Sequence, residues 1–139
     1  MKIRSFEELE VWQVAHALAL RVYQVTARFP REEQFGLTSQ LRRASSSVPA
    51  NIAEGFGRRT TKELLRSLRV ANGEVEEIRY FCLLSRDLGY VSRDESNQLN
   101  AMCASISKLL SALGRSLANL GARVTSHQSP VTQKAGGKP

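Results

Sequence analysis

Apolar residues recur along this chain at alternating spacings of four and three, the interval that holds one stripe of an α-helix against a partner. Leu64, Leu68, Ala71, Val75, Ile78, Cys82 and Ser85 show it most clearly, and Leu99, Met102, Ile106, Leu109, Leu113, Leu117 and Leu120 repeat it. Three Ser/Thr-x-x-Glu capping boxes mark helix starts: Ser5 with Glu8, Thr60 with Glu63 and Ser92 with Glu95. Pro30 can close one helix and open the next, because its missing amide hydrogen would be unpaired in a first turn anyway. Gly89 and Gly121 sit where the last two helices should stop. Four helices follow, at residues 6–28, 32–57, 61–88 and 93–119. Their short connections favour antiparallel neighbours, so the fold class is all-α, an antiparallel up-down-up-down four-helix bundle spanning residues 1–120.

Two helices are apolar over more of their surface than one core uses. At 100° per residue, Val11, Ala15, Leu18, Val22 and Val25 form one face of helix one, and Leu9, Trp12, His16, Leu20 and Tyr23 form an adjacent one. Helix four carries only Lys108 and Arg115 as charges between Asn97 and Leu120, fewer than a freely solvated face normally shows. The second arc of helix one either rims the core with its polar tips wet or is an association surface. The width of the arc points to self-assembly through Leu9, Trp12, His16, Leu20 and Tyr23.

Helix two places Pro49 inside an otherwise continuous amphipathic pattern, LTSQLRRASSSVPANIAEGFGRR. Loss of a donor and a clash with the Ser45 carbonyl predict a kink, which the hydroxyls of Ser45, Ser46 and Ser47 could ease; two short helices are the alternative. Gln40, Arg43, Ser47, Asn51, Glu54 and Arg58 fall within about 80° of one another, beside the apolar Leu37, Leu41, Ala44, Val48 and Ile52. This stripe is either a solvated face, with Glu54 pairing Arg58 and Asn51 pairing Glu54, or a binding surface. In the second reading Arg42, Arg43, Arg58 and Arg59 contact phosphates, while Gln40, Ser47, Asn51 and Glu54 meet base edges or another subunit.

Composition adds little to the fold. Of 139 residues 42% are hydrophobic and 24% charged, which places the chain outside the disordered class. The formal charge is +7, but Arg123, Lys134 and Lys138 supply +3 of it from residues 121–139, leaving a mildly basic body. That segment is rich in Ser, Thr, Gly and Pro and without periodicity, so it is expected to be a disordered basic tail. No run approaches the roughly 20 apolar residues of a membrane span, and the charged start lacks the apolar core of a signal peptide, so a cytoplasmic protein without membrane contact is expected.

Candidate chemistry is sparse. Cys82 and Cys103 both lie in apolar stripes and read as buried reduced thiols. His16 lies in the helix-one arc and His127 in the tail, so no nucleophile and base come together. HExxH, Walker, GxGxxG and CxxC motifs are missing, and GFG at 55–57 ends a helix instead of following a strand. Glu54, Glu74 and Glu77 could serve metal or acid-base work, yet the Glu-x-x-His spacing of di-iron bundles is not there, and helix-surface ion pairs account for them. The chain is expected to have no catalytic residues, no metal site and no cofactor.

The string QLRRASSSVPANIAEGFGR, preceded by FEELEVWQVAHAL and FP and followed by KELLRSLRVANGEVEEIRYFCLLSRDLGY, resembles the family of four-helix-bundle proteins encoded in intervening sequences of bacterial 23S rRNA genes. The resemblance runs from Phe6 to Leu117. It rests on Leu9, Trp12, Ala15, Phe29, Pro30, Gly36, Leu37, Gln40, Arg43, Ala44, Pro49, Asn51, Ile52, Ala53, Glu54, Gly55 and Arg58. Glu74 after Gly73 departs from it, where the family often has a small polar residue, which touches helix-three packing and not the fold. The resemblance implies a left-handed bundle that forms a homopentamer, similar in build to accessory proteins of diversity-generating retroelements that bind nucleic acid and a reverse transcriptase. RNA or DNA is thus the expected partner beyond other copies of the chain, and a protein-interaction scaffold or a passenger without nucleic-acid ligand is the alternative.

Overall fold

The computed structural model describes residues 3–136, and side chains for residues 3–120. Four α-helices form it: α1 Glu10–Thr26, α2 Leu37–Gly57, α3 Thr61–Asp87 and α4 Arg93–Gly136. The tail expected over 121–139 lies outside the residues with described side chains, and the bounds of α4 extend past Gly121, where the sequence predicts an end.

Local chemistry sets the starts and stops. At Ser5 the full capping box forms, but it caps a 3-10 turn at Phe6–Glu8 instead of α1. Leu9 then leaves the helical region, at φ −74° and ψ 126°, so α1 begins at Glu10 rather than at residue 6. Ser92 and Glu95 make both arms of their box, at 3.1 and 3.0 Å. Thr60 accepts from the Glu63 amide at 3.2 Å and donates its hydroxyl to the same residue's carboxylate. Pro30 opens a second 3-10 turn, Arg31–Glu33, and α2 waits until Leu37, whose amide donates to the Glu33 carboxylate at 3.0 Å. The other oxygen of Glu33 receives the Tyr90 hydroxyl at 2.9 Å, which ties this turn to the α3–α4 connection. At the end of α3, Gly89 has φ +80°, Gly89 N donates to Arg86 O and Tyr90 N to Ser85 O. This is a Schellman cap, and glycine takes the left-handed position at no steric cost.

Each helix packs on its chain neighbours, and α4 closes back on α1. Cross-helix pairs give the directions. Arg28 at the end of α1 pairs with Glu95 at the start of α4, while Val11 shares a groove with Ala112. Arg43 meets Glu77 and Gly55 meets Ser67 between α2 and α3. The bundle is antiparallel throughout. Its core holds the expected faces of α1, α2 and α3: Leu18, Val22, Val48, Ile52, Val75 and Ile78 are all essentially inaccessible. In α4 the innermost line is Leu99, Cys103, Ile106 and Leu110; Met102, Leu109, Leu113 and Leu117 flank it, and Leu120 is 53% exposed. That seam is rotated by about one residue from the one the leucine spacing predicts.

α2 is one helix through Pro49, not two. The hydroxyls of Ser45, Ser46 and Ser47 donate to the carbonyls of Arg42 and Arg43, a turn earlier, and not to the Ser45 carbonyl that proline frees. Such back-bonding bends helices slightly and is one way a helix accommodates a proline.

Candidate functional site

The second arc of α1 is where exposed apolar surface gathers. Trp12, His16, Leu20 and Tyr23 line a groove of about 420 Å³ with Pro49 and Ala50 of α2 opposite. Leu20 is 54% exposed and Tyr23 46%, so the arc is not merely a rim of the core. Its rings are ordered against one another: Trp12 stacks on His16 with centroids 5.0 Å apart and planes 10° from parallel, and Phe6 meets Trp12 edge-on at 5.0 Å. Leu9 is the exception, since it lines a separate groove between α1 and α4 beside Leu109 and Leu113. Phe6 and the α2 wall are additions that no single-helix projection could supply, because they join the arc only once α1 and α2 pack.

The four arginines singled out by sequence do not share one surface. Adjacent positions on a helix diverge by 100°, so Arg42 turns to α1 and Arg43 to α3. Arg42 Nε donates to Thr26 Oγ1 at 2.8 Å, Nη2 to Tyr23 O at 3.3 Å, and its guanidinium lies 4.6 Å above the Tyr23 ring. Thr26 is buried and its hydroxyl donates in turn to Val22 O at 2.7 Å. Arg43 reaches Glu77 at 2.7 Å, Glu74 at 3.5 Å and Gln40 at 3.2 Å. Arg58 faces Glu54 at 3.7 Å along the helix, the intrahelical pair expected of a solvated face. Arg59 is exposed with φ +66°.

The polar stripe is likewise hydrogen-bonded on its own helix. Ser47 Oγ donates to Arg43 O and Asn51 Nδ2 to Ser47 O, both at 2.8 Å. Its strongest electrostatic feature comes from α3. Burial raises the pKa of Glu74, and the neighbouring Glu77 raises it further against the pull of Arg43. Glu77 is lowered, chiefly by its hydrogen bond from Arg43. Glu74, the departure from the family pattern, thus sits as a second carboxylate on one guanidinium. Gly55 marks the close approach of the same two helices: a Cβ there would lie 2.4 Å from Ser67 Cβ.

The thiols behave as core atoms. Desolvation pushes Cys82 up to about 11 and Cys103 to about 12, so neither supplies thiolate near neutral pH. Among the described residues no three His, Cys, Asp or Glu side chains are grouped to hold a metal ion, and no helix is long and apolar enough to cross a membrane.

The sequence model of the 23S rRNA-intervening sequence protein family matches residues 7–112, which takes in α1, α2, α3 and the first half of α4. The chain belongs to that family. A crystal structure of a protein with unknown function from the S23 ribosomal protein family of Bacteroides thetaiotaomicron superposes with a TM-score of 0.69 at 23% identity. The alignment covers 76% of this chain and 95% of that one, so the two share the helical fold. No curated protein matches the sequence. For this intervening-sequence protein the surfaces themselves are the guide to function.

Proposed function

We propose that the chain is a non-enzymatic bundle that works as a homo-oligomer, with copies docking through the α1/α2 groove. The single observation behind this reading is the groove's composition: aromatic and aliphatic side chains left exposed in one concave strip, with Leu20 and Tyr23 about half open to solvent. Contiguous apolar strips of this kind mark association surfaces, and Trp and Tyr are the residues that anchor them. A second copy is the fitting occupant because α4 offers a complementary surface, an outer face of Ala and Ser with only Lys108 and Arg115 charged between Asn97 and Leu120. Head-to-tail contacts between two different patches form a ring when the rotation from copy to copy closes, and a rotation of one fifth of a turn accommodates the fivefold stoichiometry that the sequence resemblance implies.

Light scattering after size exclusion tests this. The wild type is expected near five times 15.5 kDa. Leu20→Asp is expected to elute as a folded chain of 15.5 kDa, whereas Phe35→Ser, at a turn residue 90% exposed outside the groove, should leave the assembly intact. A wild-type monomer at micromolar concentration, or an unchanged mass for Leu20→Asp, overturns the reading.

A further inference from the structure

A different surface carries the positive charge. Between Arg58 and Arg69 the chain RRTTKELLRSLR holds five cations against one carboxylate. Arg58 is taken by Glu54, but Arg59, Lys62, Arg66 and Arg69 are all exposed, and among the described residues none of them is ion-paired. Lys62, Arg66 and Arg69 repeat at four and three, so they form one row along the outer face of α3, about 10 Å long. Arg59 continues the row across the α2–α3 turn. It occupies the position after the helix cap that glycine usually fills, and it does so with φ +66°, a conformation costing roughly 1–2 kcal/mol for a residue with a Cβ.

At the Arg59 end of this row opens a groove of about 870 Å³ between the N-terminal segment and the α2–α3 corner. Arg4 and Arg59 stand on its walls, Thr60 and Thr61 add hydroxyls, and the half-buried rings of Phe6 and Phe56 lie within it. Cations in a row answer a ligand with repeated negative charge, and exposed ring surface answers one with flat apolar groups between those charges. A duplex hides its bases from such rings, and an acidic peptide does not present a flat ring at every repeat between its charges. A single nucleic-acid strand has both features.

We propose that the α2–α3 corner binds a single strand of RNA or DNA, with phosphates along Arg59, Lys62, Arg66 and Arg69 and bases against the Phe6/Phe56 groove. This surface meets the α1/α2 docking groove at Phe6 and Ala53, which line both, while its cationic row lies outside that groove. It replaces the Arg42/Arg43 pair, whose guanidiniums are engaged within the bundle, as the phosphate-contacting set.

Fluorescence anisotropy with labelled 20-nucleotide single-stranded RNA, single-stranded DNA and the matching duplex provides the test, with the full chain throughout. Four phosphate contacts predict that affinity for a single strand falls about 50-fold between roughly 50 and 200 mM salt, with a slope of about −3 in log K against log salt. Arg59→Glu with Arg66→Glu should lower affinity at least tenfold and halve that slope, while Arg31→Glu with Arg93→Glu, the same charge change at the other end of the bundle, should lower it less than threefold. Phe56→Leu should weaken single-strand binding and leave weak duplex binding unchanged; RNA and DNA arms separate a sugar preference from the shared phosphate chemistry. No single-strand binding at low salt, equal losses for the two charge-reversed pairs, or tighter binding to duplex or to a poly-glutamate peptide each overturns the proposal. Light scattering on the same samples keeps it distinct from assembly, since the corner variants should retain the wild-type mass.

Discussion

Gly55→Ala is expected to destabilise the bundle although alanine is the better helix former. The added Cβ would lie 2.4 Å from Ser67 Cβ, 2.6 Å from Ser67 Oγ and 3.3 Å from Leu64 Cδ1. Carbon atoms prefer separations near 3.5–4.0 Å, so α2 and α3 must part by about 1 Å along a tightly packed pair. Overpacking of that kind costs about 1–3 kcal/mol, and replacing a helical glycine returns about 1 kcal/mol, which leaves a net loss of about 1–2 kcal/mol. Chemical denaturation followed by circular dichroism, at fixed protein concentration because assembly couples to folding, should show a lower midpoint at an unchanged slope. The decisive control is Ser67→Gly, which removes the opposing Cβ at a cost of its own of about 0.5 kcal/mol. In that background Gly55→Ala should stabilise, so the two substitutions should couple by about 2 kcal/mol, well beyond the few tenths expected of independent sites. Additive effects, or a stabilising Gly55→Ala in the wild type, would refute the close approach as the reason for glycine.

Three further outcomes follow from the electrostatics and the core. Glu77 has a lowered pKa, so its stabilisation is present above the ordinary carboxylate range near 4.5 and lost as pH falls through its folded value; Glu74 has a raised pKa, so stability falls as pH rises through its folded value. Urea midpoints should therefore show Glu77→Gln losing about 0.5–1 kcal/mol at pH 7, a modest figure for a partly exposed pair, with the deficit shrinking only once pH falls below 4.5 toward Glu77's lowered folded value, while Glu74→Gln gains relative to wild type as pH rises above 4.5. Arg42→Lys should cost about 1 kcal/mol by the same assay, since an ammonium cannot reproduce the fork that binds Thr26 Oγ1 and Tyr23 O while covering the Tyr23 ring. A thiol reagent such as Ellman's should leave both cysteines unmodified in the native protein at pH 8 and label both in denaturant; rapid native labelling would contradict their burial.

What the sequence makes legible is whatever one helix decides alone. The four-three spacing of α3 yields its buried face residue for residue, from Leu68 to Ser85. The over-wide arc of α1 locates the exposed strip from Trp12 to Tyr23 without knowledge of its neighbours. In α4 the same method slips by about one position. Leu109, Leu110, Leu113 and Leu117 offer two overlapping seams, and Cys103 carries no weight as a core marker, so only packing within the bundle chooses Leu110 over Leu109. Arg42 shows the complementary gap. Its partners lie 16 and 19 residues away on another helix, and nothing local distinguishes it from Arg43, one position on and facing the other neighbour. The basic row on α3 was within reach of a count of charges over residues 58–69, but the flanks of Pro49 draw attention instead because that string is the more unusual.

The structure assigns a different job to that string. Leu41, Ala44, Ser45, Val48 and Ile52 are buried, Gly55 makes the close contact with Ser67, Arg42 locks α2 to α1, Arg43 locks it to α3, and Pro49 and Ala50 floor the groove. Most residues from Leu41 to Gly55 therefore hold α2 between its two neighbours, while Pro49 and Ala50 also face the docking groove. A helix so occupied specifies the shape of the bundle closely and meets partners through few of its side chains. Substitutions within it should register first as lost stability, at whatever assay they are read, and so report poorly on ligands. The residues least committed to the fold are Leu20 on the groove and Arg59, Lys62, Arg66 and Arg69 on the corner, all exposed, whereas Tyr23 also carries the Arg42 guanidinium. Recognition is therefore best dissected at those five positions, where a change in mass or in strand affinity can be separated from a change in folding.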